Sequence, residues 1–75
     1  MTIAQWVALR IQELCTQNNL SINKLATISC LTQSTVNSIM HGESKNPKLA
    51  TIHKICTGLN ITLSDFFRDF NVEEE

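Results

Sequence analysis

At 75 residues, with a net charge of −1 and apolar residues at 43%, the chain is expected to be one small domain. It should bury roughly 60% of its extended surface, and its apolar share argues against disorder. No apolar run approaches the roughly 20 residues of a membrane span and no basic-then-apolar leader marks export, so a soluble cytoplasmic protein is expected.

Three cysteines, Cys15, Cys30 and Cys56, are odd in number and widely spaced. They make neither a disulfide framework nor a zinc site. They read as reduced, partly buried thiols, with Cys30, at a turn, the one placed for redox sensing. The small net charge hides an asymmetry. Residues 1–64 set Arg10, Lys24, Lys45, Lys48 and Lys54 against Glu13 and Glu43, whereas the last eleven residues set Arg68 against Asp65, Asp69, Glu73, Glu74 and Glu75. A mildly basic body with an acidic tail keeps nucleic acid among the partners that whole-chain charge would disfavour.

In chain order, Thr2 followed by Gln5 has the pattern of a capping box and predicts the start of a first helix. Val7, Ile11 and Leu14 then recur at helical spacing. The helix should end near Asn18, with Asn19 left-handed and Leu20 turned back to the core. Ser21 predicts the N-cap of a second helix that carries Leu25, Ala26 and Ile28 inward and stops near Ser29. Thr32 predicts the cap of a third helix reaching His41 and closed by Gly42, with Val36 and Ile39 inward.

After the polar run GESKNPK, Asn46 is expected to cap a fourth helix with Pro47 in its first turn. Leu49, Ile52, Ile55, Cys56 and Leu59 would form its buried stripe, and Asn60 its end. Thr62 with Asp65 repeats the capping box for a short fifth helix through Phe66, Phe67 and Phe70. No segment alternates as a strand would. An all-α bundle of five helices is expected, a single domain over residues 1–70, followed by an acidic, frayed tail at 71–75.

Enzyme chemistry finds no foothold. The chain has no glycine-rich phosphate loop and no H-E-x-x-H, and its two histidines, His41 and His53, fall on different predicted helices. Both read as surface residues. The few acids are dispersed or lie in the tail, so no paired carboxylates are expected. No cofactor and no metal are expected.

The third predicted helix is unusual in a different way: its outer side is Gln33, Ser34, Thr35, Asn37 and Ser38, polar but uncharged. Gln and Asn pair bidentately with adenine, Ser and Thr donate or accept, and Thr adds a methyl contact to thymine. Such a face suits base edges in the major groove, and equally suits an ordinary hydrated surface. Spacing favours the first. Small Ala26 lies where two helices must cross closely, the corner at Cys30 follows four residues later, and Val36 and Ile39 stand where the third helix packs on the second.

In this order and spacing, RIQEL, LSINKLA, LTQSTVNSIMHG and NPKLATIHKICTGLNITLSDFF resemble the helix-turn-helix of the Cro/phage-repressor superfamily, also called the XRE family. The resemblance covers roughly residues 7 to 67. It implies a lambda-repressor-like five-helix bundle whose third helix enters the major groove of double-stranded DNA. Carried over, it implies base contacts by Gln33, Ser34, Thr35 and Ser38, with Asn37 on base or backbone. Lys45, Asn46 and Lys48 match the region that grips phosphate, where helix N-termini also attract anions. Ser21, Asn23 and Lys24 are weaker phosphate candidates.

The departures from the family all remove something. Glycine is frequent where this chain has Asn19 and Cys30; asparagine tolerates the left-handed conformation, but Cys30 would carry about 1–2 kcal/mol of strain or reshape the corner. Ile22 replaces a frequent phosphate-binding glutamine, and Cys15 a frequent basic residue. Modest affinity per monomer is therefore expected.

The function expected is a sequence-specific transcriptional regulator, a repressor acting as a homodimer on half-sites about one helical turn apart. Trp6, Phe70 and Val72 are the candidates for its dimer surface, unless Trp6 and Phe70 simply cover the core edge. The alternative is a protein-interaction module, antitoxin-like or anti-repressor, that keeps the fold without strong DNA binding.

Overall fold

Four hydroxyl groups set the starts of four helices. The computed structural model describes residues 1–42 and 47–72, and every regular element among them is a helix: α1 (Ile3–Asn18), α2 (Ile22–Ile28), α3 (Gln33–Met40), α4 (Leu49–Leu59) and α5 (Leu63–Phe66). The hydroxyls of Thr2, Ser21, Thr32 and Thr62 accept from the backbone N–H groups of Gln5, Lys24, Thr35 and Asp65, each at the third helical position. In α1 and α5 the bond is reciprocated, so both expected capping boxes form.

Three helices also end alike. Asn19, Cys30 and Asn60 take the left-handed conformation with φ of 55°, 57° and 60°. In each case the next N–H reaches back five residues: Leu20 to Cys15 O at 2.8 Å, Leu31 to Ala26 O at 2.9 Å, Ile61 to Cys56 O at 2.9 Å. This is the Schellman pattern. The apolar residue that follows the turn, Leu20, Leu31 or Ile61, packs back on the core. A left-handed residue and one hydrophobic anchor therefore define each exit angle. The strain expected at Cys30 is realised: the corner keeps its ordinary shape and the cysteine adopts it.

The core joins Val7, Ile11 and Leu14 of α1, Leu25 and Ala26 of α2, Val36 and Ile39 of α3, Ile52, Ile55 and Cys56 of α4, and Phe66 of α5. Helix α3 packs against α1 and α2, α4 against α2 and α5. Cys15 and Cys56 are fully part of this interior, while Cys30 is exposed. Burial pushes the thiols of Cys15 and Cys56 up from their ordinary pKa, so both stay protonated.

The joint between α1 and α5 is polar as well as apolar. Arg10 donates from Nε to Phe66 O and from Nη2 to Asp65 O, both at 2.8 Å, and its Nη1 pairs with Glu13. The Trp6 ring stacks on Phe67 at 5.7 Å and meets Phe70 edge-on at 4.9 Å.

Three expectations are corrected. Asn46 lies outside the described residues, but it is not the N-cap of α4. Lys48 is, with extended backbone (φ −71°, ψ 138°) and no side-chain cap bond. The chain stays extended past Pro47, which pushes the helix start to Leu49. Leu49, assigned above to the buried stripe, is 61% exposed; at the first position of α4 it has no neighbouring turn to pack beneath it. Finally, α5 stops at Phe66 rather than running through Phe70. Asp69, left-handed at φ 63°, turns the chain away, and Phe70 returns through a hydrogen bond from its N–H to Phe67 O at 3.0 Å.

Candidate nucleic-acid interface

Because Val36 and Ile39 are held in the core, the 3.6-residue period leaves Ser34, Asn37, Ser38 and His41 along the opposite side of α3. Gln33 and Ser34 are exposed, and Thr35, Asn37 and Ser38 are half-buried. Gln33 and Ser34 occupy the first turn, the end of a helix that most readily reaches into a groove.

The hydroxyl of Thr35 is already engaged. It shares a 2.8 Å hydrogen bond with Thr32, the residue that caps α3. Its methyl group remains for apolar contact. Ser34 and Ser38 make no side-chain hydrogen bond among the described residues, and a serine hydroxyl can both donate and accept.

Between α3 and the start of α4 runs an open cleft of about 400 Å³ lined by Ser34, Thr35, Ser38, Ile39, Pro47, Lys48 and Thr51. Three of the four base-facing candidates named from the sequence thus meet one phosphate candidate, Lys48. Gln33 and Asn37 do not line the cleft. Lys45 and Asn46 lie outside the described residues, as do the acids of the tail, Glu73, Glu74 and Glu75.

The second-helix candidates are split. The Ser21 hydroxyl is occupied as the α2 cap. Asn23 offers its backbone carbonyl to Thr27 at 3.0 Å and keeps its side chain exposed. Lys24 is exposed.

Charge is distributed unevenly over these surfaces. Among the described residues both ion pairs, Arg10–Glu13 and Arg68–Asp65, lie on α1 and α5 or just beyond. Lys24 on α2, Lys48 at the N-cap of α4 and Lys54 on α4 make none among the described residues.

Trp6 and Phe70 are engaged with Phe67 within the chain. Phe70 is still 40% exposed and Val72 half-buried. Among the described residues no helix is long and apolar enough to cross a membrane, and no three metal-binding side chains gather.

Sequence reasoning passed over Thr51, His41 and Arg10. Thr51 could have been found from its position off the Ile52–Ile55 stripe. His41 follows Ser34 and Ser38 at helical spacing and is exposed. Nothing in the sequence signals that Arg10 reaches carbonyls more than fifty residues away.

A short helix crossing a second one through a left-handed corner, with the second presenting an uncharged polar face, defines a helix-turn-helix domain. The chain belongs to the Cro/C1-type HTH DNA-binding domain family, whose model matches residues 10–70. Among solved structures, an HTH_3 family transcriptional regulator from Vibrio cholerae superposes with a TM-score of 0.82 at 28% identity. The match covers 89% of this chain but 37% of that one, so this chain spans little more than a third of that protein's length. Prophage Lp1 protein 11 gives a TM-score of 0.82 at 45% identity, over 100% of this chain and 99% of its own. No curated protein matches.

Proposed function

We propose that this chain is a sequence-specific transcriptional regulator of double-stranded DNA, a repressor that binds as a homodimer and reads the major groove with α3. The observation that carries this reading is the juxtaposition of Ser34, Thr35 and Ser38 with Lys48 around one cleft. Groups able to read base edges stand beside a cation able to hold the backbone.

Gln33, Ser34 and Ser38 are assigned to base edges through polar groups, Thr35 through its methyl, and Asn37 to base or backbone. Lys48, with Lys45 and Asn46, is assigned to phosphate, and Ser21, Asn23 and Lys24 to the flanking backbone. Trp6, Phe70 and Val72 are assigned to the dimer surface. No catalytic role is assigned to any residue.

The test is selection from a random duplex pool at about 50 and 200 mM salt, followed by sequencing. Phosphate-only binding collapses across that range, whereas base readout leaves an enriched motif. The expected result is an inverted repeat with half-site centres roughly 10 base pairs apart. No enrichment at either salt, from protein shown to be folded, would favour the protein-interaction module instead.

A further inference from the structure

Among the described residues the exposed large apolar side chains are Met1, Ile3, Leu9, Leu49 and Phe70. Met1, Ile3 and Leu9 lie on α1 or just before it, and Phe70 meets Trp6 of α1 at 4.9 Å. The inward side of α1 is set by Val7, Ile11 and Leu14. The helical period therefore turns Leu9 to the opposite side, where it is 51% exposed. Leu9 lines two clefts at once. One, of about 510 Å³, continues over Trp6 to Arg10, Glu13, Arg68 and Asp69. The other, of about 340 Å³, runs over Ala8 to Met40 and Gly42 at the end of α3. Leu9 is thus a ridge between two grooves.

We propose that this face of α1 receives a second copy of this chain. The two α1 helices pack across a two-fold axis, with Leu9 of each copy seated in the Ala8–Met40 groove of the other. This rests on the homodimer reading given above and puts α1 at the centre of the contact, with Trp6 and Phe70 toward its edge. A two-fold contact needs one patch that fits itself. A ridge beside a groove does so, because the rotation brings each ridge opposite the other copy's groove. Charge selects the occupant. The wider cleft carries two cations, Arg10 and Arg68, and two carboxylates, Glu13 and Asp69. An anionic membrane or a nucleic acid would call for an excess of cations, and a strongly charged protein for an excess of one sign. A balanced rim around an apolar centre suits a copy of itself, since a two-fold rotation can set each cation across from a carboxylate. Gln33 and Ser34 begin α3 at the end away from Met40, so the first turn of that helix stays open in such a dimer.

Sedimentation equilibrium over a concentration series reads the dimer directly. Leu9→Glu removes the ridge and adds a carboxylate. Leu49→Glu makes the same change at another exposed leucine, the first residue of α4. Glutamate is a good helix former and neither leucine is in the core, so both variants should unfold at the temperature of the unsubstituted chain. Leu9→Glu is expected to raise the dimer dissociation constant about a hundredfold, the scale on which a central anchor is lost. Leu49→Glu should leave it unchanged, and Phe70→Glu should weaken the dimer less than Leu9→Glu does.

An unsubstituted chain that stays monomeric throughout the series would overturn the proposal, while an enriched motif in the duplex selection would leave the DNA-binding reading standing. A dimer that survives Leu9→Glu would also overturn it, and its loss in Phe70→Glu instead would put the contact at the C-terminal segment. A Leu9-dependent dimer with no enriched motif would uphold this contact and sink the regulator reading.

Discussion

Gly58 lies so close to Ile28 that a β-carbon built at position 58 would stand 2.6 Å from the Ile28 carbonyl oxygen. The same atom would be 3.0 Å from Ser29 Oγ. This is where α4 passes the end of α2, immediately before the Cys30 corner, so the spacing of the two helices depends on a missing side chain.

Gly58→Ala therefore tests packing against propensity. In an open helix interior the change would stabilise by about 1 kcal/mol. Here the obstructing atom is backbone and cannot rotate away, so a net loss of about 1–3 kcal/mol is expected. Urea denaturation monitored by far-ultraviolet circular dichroism reads it directly. A rise in midpoint would show that the two helices separate without cost.

Arg10 supplies a second test. Arg10→Met keeps an apolar stem of similar length but withdraws donors from the carbonyls of Asp65 and Phe66. A loss of about 2–3 kcal/mol is expected, in the range for hydrogen bonds to a charged group. Trp6 emission should shift as α5 loosens from α1. Unchanged midpoint and emission together would mean that the aromatic contacts alone hold α5.

Cys30 combines two measurable properties. With φ at 57°, Cys30→Gly should raise stability by up to about 1 kcal/mol, the relief of left-handed strain less the added freedom of the unfolded chain. As the exposed thiol, Cys30 should react rapidly with a chromogenic disulfide reagent, while Cys15 and Cys56 react only on unfolding. Three fast thiols in the folded protein would contradict the burial of the other two.

Asp65 sets an acid limb on stability. Its pKa is lowered, first by the backbone N–H of Thr62, then by the Thr62 hydroxyl and by Arg68. Because the folded value lies below the unfolded one, the contribution is complete above the unfolded carboxylate range. It is lost as pH falls through the folded value. In Asp65→Asn the decline in stability between about pH 5 and pH 2 should be shallower than in the unsubstituted chain. Identical acid limbs would remove Asp65 from the cause.

What could be read from the sequence was local. Thr2, Ser21, Thr32 and Thr62 cap helices because a hydroxyl reaches an N–H three residues on, whatever surrounds it. Asn19 and Asn60 end helices for equally local reasons. The polar face of α3 was visible from the inward pair Val36 and Ile39. The misses depend on distant parts of the chain or on extension between elements. Leu49 has apolar character and helical phase but no partner at the mouth of α4. Lys48 became the N-cap because the segment after Pro47 stays extended. On the candidate interface, residue type identified Thr35, but only the structure shows its hydroxyl spent on Thr32. Thr51 entered only when α4 was placed beside α3.

The stacking of Trp6 on Phe67 bears on how the chain folds as well as on how it stands. The chain has one tryptophan, and its aromatic neighbours Phe66, Phe67 and Phe70 are about sixty residues away along the chain. Closing so long a loop is an entropic step that few local contacts can offset in advance. The α2–α3 corner, by contrast, joins neighbours in sequence and can nucleate early. Tryptophan fluorescence in a refolding experiment therefore follows the meeting of the two ends of the domain, and formation of the helix-turn-helix itself passes without a signal from it.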